Sequence, residues 1–339
     1  MVTLGQIGVG YWGKNLLRNF ASMSQCHVKM CCDKEEGILE RVRRDYPSVE
    51  STREYSDILA DDGIDAVVVA TLPEMHFPIA KEALLAGKDV FVEKPLVLTV
   101  PDGEELVQLA EENKRILMVG HILEYHPAVN RMRDYITSGE LGDIYYIYST
   151  RVNLGKIRRF ENALWSLAPH DVSIVLYLSG QTPVEVTAVG ESYLQKNIQD
   201  VAFAILRFPG GTMAHIHVSW LDPHKIRKVT VVGSRKMAVF DDMESTEMIR
   251  IYDKGVGQRL DYDSYGEALS VRVGDIHIPK VTMTEPLRLE CQHFIDCVMN
   301  RTTPRTDGRD GVRVVKVLDA AQKSMERGGT PVTIEEEQR

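Results

Sequence analysis

Residues 8–13 read Gly8-Val9-Gly10-Tyr11-Trp12-Gly13, Asp33 follows on the next strand-like run, and Glu93-Lys94-Pro95 comes later. In this order the three pieces describe a nicotinamide dinucleotide site with a lysine beside it. Gly8 permits a tight turn, Gly10 lets backbone approach a pyrophosphate, and Gly13 lets the opening helix pack on its strand. A helix starting there turns unpaired N–H groups toward the phosphates. Asp33 selects NAD, because a carboxylate accepts from a free ribose hydroxyl and repels a 2′-phosphate. Lys34 beside it works the other way, toward NADP. Tyr11 and Trp12 sit in the phosphate turn and either line it or pack as aromatics. Lys94 follows a strand end, where open parallel sheets place their ligands. A partly desolvated ammonium near a cationic nicotinamide gives up its proton more readily, which suits it to help remove a hydroxyl proton.

These groups need a sheet to position them. Short β-branched runs at 3–9, 28–32, 65–70, 89–92 and 116–119 alternate with helix-length periodic segments, the pattern of a doubly wound parallel α/β sheet with right-handed crossovers. The helices predicted are 12–23, 74–86 with Gly87 as its C-terminal cap, and 101–113 with proline at its start. After His121 the rhythm changes. A helix over 127–138 precedes a long strand over 143–153, a basic loop, and a helix over 169–178 opened by Pro169. Four strand-like runs, 184–190, 202–208, 213–219 and 227–232, are divided by turns such as Pro209-Gly210-Gly211 and predict an antiparallel sheet. Residues 253–281 mix charge and glycine and yield no assignment, whereas 287–300 and 311–327 read as helices. The expected division is a dinucleotide-binding domain over 1–121 and a substrate and assembly domain over 122–339.

Composition narrows the function classes. The 339 residues are 44% hydrophobic and 26% charged, with no apolar run long enough for a bilayer, so a soluble protein without a membrane partner is expected. Met1 leads directly into an apolar run without a basic region or cleavage signal, which predicts a cytoplasmic location. A net charge of −9, from 40 basic and 49 acidic residues, disfavours nucleic acid. Cys26, Cys31, Cys32, Cys291 and Cys297 lack metal-type spacing and read as reduced packing residues. Lys156, Arg158 and Arg159 form one basic cluster; Lys225, Arg227 and Lys228 form another. Each is either a solvated face or a partner for an anionic group such as a nucleotide diphosphate. His215 and His217 share a strand face without a third ligand and read as a cross-strand feature, so no metal is expected.

The glycine turn, Asp33, the stretch from Ala70 to Leu96 that carries His76, Gly87 and Glu93-Lys94-Pro95, and Ala168-Pro169-His170-Asp171 resemble the glucose-fructose oxidoreductase, inositol dehydrogenase and MocA family over nearly the whole chain. The resemblance implies a Rossmann domain followed by an α+β domain with a large open mixed, mainly antiparallel sheet, whose outer face makes homo-oligomers. It implies Lys94 and His170 as the catalytic pair, both near the substrate. Thr71, Leu72, Pro73, His76, Glu93 and His121 match positions that line the dinucleotide. Trp165 either borders the nicotinamide or packs in the core. Tyr125, Arg151 and Asn153 are the substrate-side expectations. The family usually carries an aspartate four residues before its histidine, where this chain has Ser166, which puts the partner of His170 in doubt. Pro169 is expected to set His170 in a first helical turn, and Asp171 diverges from its neighbour along the helix.

Within the family, the segments 152–159, 165–171 and 216–223 resemble the branch that oxidises C3 of UDP-N-acetylglucosamine. That resemblance implies NAD-dependent hydride transfer from a UDP-sugar to give a 3-keto product, passed to an aminotransferase, with Arg158, Arg159, Lys225 and Arg227 near the diphosphate. A polyol or free-sugar dehydrogenase and a non-catalytic cofactor-binding sensor remain as alternatives.

Overall fold

The structure, a computed structural model, describes residues 1–258 and 269–335. Residues 259–268, inside the stretch that sequence left unassigned, lie outside the described residues. Contacts divide the chain into two compact units, Met1–Tyr125 with Thr284–Lys316, and His126–Met283 with Val317–Arg339.

The first unit runs β1 (Val2–Ile7), α1 (Gly13–Ala21), β2 (Cys26–Cys32), α2 (Glu36–Asp45), β3 (Glu50–Thr52), α3 (Tyr55–Ala60), β4 (Ala66–Val69), α4 (His76–Leu85), β5 (Asp89–Glu93), α5 (Val100–Glu112) and β6 (Leu117–Gly120). Its six strands are parallel in the order β3-β2-β1-β4-β5-β6. Strand order reverses between β1 and β4, so the glycine turn after β1 lies at the switch point where such sheets bind ligands. β4 and β5 are buried along their whole length, as strands covered on both faces must be, which is why β4 and the centre of β5 read as apolar runs. Thr99 caps α5 by accepting from the Asp102 N–H at 3.3 Å, and Gly87 follows α4 at a φ of +73°, a conformation that favours glycine.

The second unit follows with α6 (Pro127–Thr137), β7 (Ile144–Val152), α7 (Ala163–Ser179), β8 (Glu185–Glu191), β9 (Val201–Arg207), β10 (Met213–Ser219), β11 (Ile226–Gly233), β12 (Met237–Asp241), β13 (Ile249–Gln258) and β14 (Leu269–His277). The chain then returns to the first unit through α8 (Pro286–Asn300), and α9 (Gly308–Glu326) and β15 (Val332–Thr333) complete the order. Phe294 of α8 meets Phe20 and Phe91 edge to face, at centroid distances of 6.3 and 5.6 Å. Each such pair contributes about 0.5–1.5 kcal/mol beyond its buried area. Leu287, Cys291 and Ile295 join the same core.

The second sheet has nine strands in the order β14-β13-β12-β11-β7-β10-β9-β8-β15. β7 and β10 pair in parallel, and their other neighbours are antiparallel. The sheet is therefore mixed, where the four strand-like runs alone suggested a purely antiparallel one. β9 alternates buried and outward residues, the period of a sheet with one covered face. The five cysteines are buried and unpaired. Among the described residues no helix is long and apolar enough to cross a membrane.

α7 corrects the expected start at Pro169. The helix begins six residues earlier, at Ala163, because the Asn162 side chain caps it, accepting from the Trp165 N–H at 3.1 Å. Its own Nδ2 reaches Gln199 and Gln322 at 2.9 Å each. A proline favours a helix start because it lacks an N–H, yet Pro169 here lies inside the helix and forgoes one intrahelical bond. His170 is consequently a mid-helix residue, not a first-turn one.

Candidate cofactor and active site

In the first unit the glycine turn is shaped by steric limits. Gly8 has a φ of +90°, and a Cβ there would lie 2.5 Å from the Ala70 carbonyl oxygen. A Cβ on Gly13 would lie 2.3 Å from the Gly8 oxygen, whereas nothing stands within 4 Å of the position at Gly10. Gly8 and Gly13 close the turn tightly and Gly10 leaves open space, the division of labour a pyrophosphate needs. Asp33 is tied to the same turn: its Oδ2 accepts from the Val9 N–H at 2.8 Å and its Oδ1 from the Glu35 N–H at 3.1 Å. Lys34 is exposed, and its carbonyl accepts from the Arg53 guanidinium at 3.0 Å. Tyr11 is 85% exposed, with the Lys14 ammonium 5.8 Å from its ring centre.

Trp12 does not simply pack. Its indole N–H donates to Glu93 Oε1 at 2.6 Å, while Glu93 Oε2 accepts from the Lys94 N–H at 3.2 Å. Burial pushes the Glu93 carboxyl up to about 7, opposed by the Lys94 charge and the Trp12 bond. Gly120 pairs with Glu93 across β5 and β6, and a Cβ on it would stand 3.1 Å from the carboxyl carbon. Its bare backbone makes room for that acid.

His76 fixes the turn that carries Lys94. Its Nδ1 lies 2.7 Å from the Pro95 carbonyl oxygen and its Nε2 lies 3.3 Å from that of Thr71. Burial lowers the ring's proton affinity, and a neutral imidazole has one N–H, so the shorter contact assigns the donor to Nδ1. Thr71, exposed Leu72 and Pro73 lead into α4. His121 follows β6 with both ring nitrogens buried and without a hydrogen-bond partner among the described residues, and burial pushes it down to about 4. Lys94 itself is half-buried at the end of β5.

Tyr125, a substrate-side expectation, is held from the interior. It is 4% exposed, its hydroxyl is 3.1 Å from Thr306 Oγ1, and the Arg305 guanidinium lies 5.0 Å from its ring centre. It is an interior residue of the first unit.

His170 belongs to the second unit, on α7, one turn after Ser166. Asp171 is 1% exposed and faces β7, where Oδ1 accepts from Ser149 Oγ at 2.5 Å and Oδ2 from Arg151 Nε at 2.6 Å. Arg151 thereby neutralises a buried carboxylate through its Nε. Asn153 follows the same strand, its N–H donating to the Ser219 carbonyl at 3.1 Å. Trp165 is half-buried in the first turn of α7.

The basic clusters are partly neutralised. Arg158 pairs with Glu161 at 3.4 Å, Arg227 with Asp242 at 3.3 Å and Lys228 with Asp241 at 2.9 Å. Lys156, Arg159 and Lys225 are exposed without an acidic partner among the described residues. Arg227 pairs in register with Arg151 across β11 and β7. On the other face, Phe203 stacks on His217 at 4.3 Å and on His215 at 6.3 Å.

Residues 2–121 match the model of the oxidoreductase family with an NAD-binding Rossmann fold, and residues 129–239 match the C-terminal domain of the same family. The chain belongs to the Gfo/Idh/MocA family. It is an oxidoreductase whose cofactor is NAD, and the open glycine turn with Asp33 beside it fits that group. UDP-N-acetylglucosamine 3-dehydrogenase of Acidithiobacillus ferrooxidans is 29% identical over 75% of this chain and 77% of its own length. The scyllo-inositol 2-dehydrogenase (NAD(+)) of Bacillus subtilis is 26% identical over 98% of this chain and 94% of its own. Among solved structures, GenD2 from gentamicin A biosynthesis in complex with NAD superimposes with a TM-score of 0.83 at 22% identity, covering 99% of this chain and 97% of its own, a likeness of fold.

The Trp12–Glu93 bond and the interior carboxylate Asp171 carry the geometry that sequence reasoning missed. The sequence points to Trp12, but nothing in the spacing of residues 12 and 93 announces a bond between side chains that follow β1 and end β5.

Proposed function

We propose that the protein oxidises a secondary hydroxyl of a nucleotide sugar, UDP-N-acetylglucosamine at C3, to the keto form. The observation that carries this reading is the set of unneutralised cations Lys156, Arg159 and Lys225, which suits a diphosphate and has no use for an uncharged polyol. The likeness to the Acidithiobacillus ferrooxidans enzyme supports it. NAD, held by the glycine turn, Asp33 and the residues around His76 and His121, supplies the acceptor for the hydride leaving the sugar carbon. Lys94 takes the hydroxyl proton, and the protein otherwise contributes position. The division of labour favours Lys94, because Ser166 offers His170 no carboxylate and Asp171 is committed to Arg151 and Ser149.

The keto product belongs to the class of compounds that an aminotransferase consumes, and the reading places the pair in the cytoplasm. The outer face of the second sheet exposes Tyr146, Tyr148, Phe203 and Ile205 and is proposed to pair with a second copy of the chain. A second reading, oxidation of an inositol-type polyol, is favoured by the length over which the Bacillus subtilis relative matches. Competition separates the two. UDP is expected to inhibit turnover competitively with the sugar substrate; an enzyme indifferent to UDP contradicts the nucleotide-sugar reading.

A further inference from the structure

Gln6 is a fully buried amide in a strand otherwise built of small and aliphatic residues and one threonine. A buried amide is costly unless its polar atoms are hydrogen-bonded, so its bonds matter. Its Nε2 donates twice, to the Gly8 carbonyl at 2.9 Å and to the Gly13 carbonyl at 2.7 Å. One side chain thus bridges the first and last glycines of the turn from beneath. The Gly8–Val9 peptide group is gripped at both ends, its oxygen by Gln6 and its N–H by Asp33 Oδ2 at 2.8 Å. Because the peptide is planar, fixing the oxygen fixes the direction of the N–H, and with it the carboxylate that meets the ribose. Gln6 Oε1 is buried and has no hydrogen-bond partner among the described residues. A methionine would fill similar space without burying that oxygen, so the amide is retained at a cost that packing does not explain.

We propose that Gln6 is a positioning residue for the cofactor, one that sets the glycine turn and the Asp33 carboxylate as a single unit and so governs affinity for the adenosine diphosphate half of NAD. The proposal rests on the NAD-binding reading of the first unit. Gln6→Met and Gln6→Leu remove both donors while keeping an apolar filling. The measurements are binding of NAD and of ADP-ribose, the melting temperature without ligand, and kcat at saturating NAD. Either variant is expected to bind both ligands about ten- to a hundredfold more weakly, equivalent to about 1.4–2.8 kcal/mol, with kcat within about threefold of wild type and a melting temperature close to it. Unchanged affinity in a folded variant overturns the proposal, as does a loss of kcat equal to the loss of affinity. Two variants that both fail to fold assign the glutamine to stability and also overturn it. A wild-type protein that binds neither ligand contradicts the NAD reading itself, which distinguishes that failure from the others.

Discussion

The Trp12 indole N–H and Glu93 Oε1 are 2.6 Å apart, a bond that ties the glycine turn after β1 to the strand end that carries Lys94. One acid therefore bonds both the glycine turn, through the Trp12 indole, and the backbone N–H of Lys94.

Glu93 makes stability depend on pH in a defined sense. Its carboxyl rises from an ordinary 4.5 to about 7 in the folded unit, chiefly through burial. The folded state therefore binds the proton more tightly, and the stability this confers is complete below 4.5 and lost as pH climbs through 7. Urea unfolding without NAD should show a decline of up to about 3 kcal/mol over that window, at about 1.4 kcal/mol per pKa unit. Glu93→Gln should flatten it. An equal decline in the variant assigns the pH dependence to other groups.

Lys94→Met should lower kcat by about a thousandfold or more, within the range that proton transfer and positioning supply, while leaving NAD affinity within a fewfold of wild type. The check pairs steady-state kinetics with a direct binding titration. Turnover that survives the substitution removes Lys94 from the proton path.

Asp171 and Arg151 form a buried pair, with Ser149 as the second donor. Asp171→Asn leaves the guanidinium buried without its counter-charge and should destabilise the second unit by about 3–5 kcal/mol, read by urea unfolding. Replacing both partners by apolar residues should recover much of that loss. A single substitution of no consequence means water reaches the pair.

Removing Lys156, Arg159 and Lys225 together should raise KM for a UDP-sugar by about tenfold or more while kcat changes little, since each charge-assisted contact to a phosphate contributes about 1.5–3 kcal/mol before solvent screening. An unchanged KM assigns these cations to a solvated surface.

Much of the first unit is legible because most of its strands centre on short apolar runs and several of its helices are bounded by glycine or proline. β3 was not, since Glu50–Thr52 is a short polar edge strand. The destination of α8 was also hidden: 287–300 reads as an amphipathic helix whichever unit receives it, and its contact with Phe20 and Phe91 is a long-range fact. The start of α7 is hidden because Pro169 is the stronger local signal, whereas Asn162, which caps the helix, is held by Gln199 and Gln322 from elsewhere in the chain. Among site residues, the glycines carry their own steric signature. Tyr125 and Arg151 were chosen by type, and their interior partners Thr306 and Asp171 come from elsewhere in the chain.

The most direct test is NADH formation from NAD and UDP-N-acetylglucosamine, coupled to a glutamate-dependent aminotransferase that draws off the keto sugar, with inositol and glucose run in parallel. Turnover confined to the UDP-sugar, with a product oxidised at C3, is the predicted result. Turnover with inositol or glucose and none with the UDP-sugar would contradict the account.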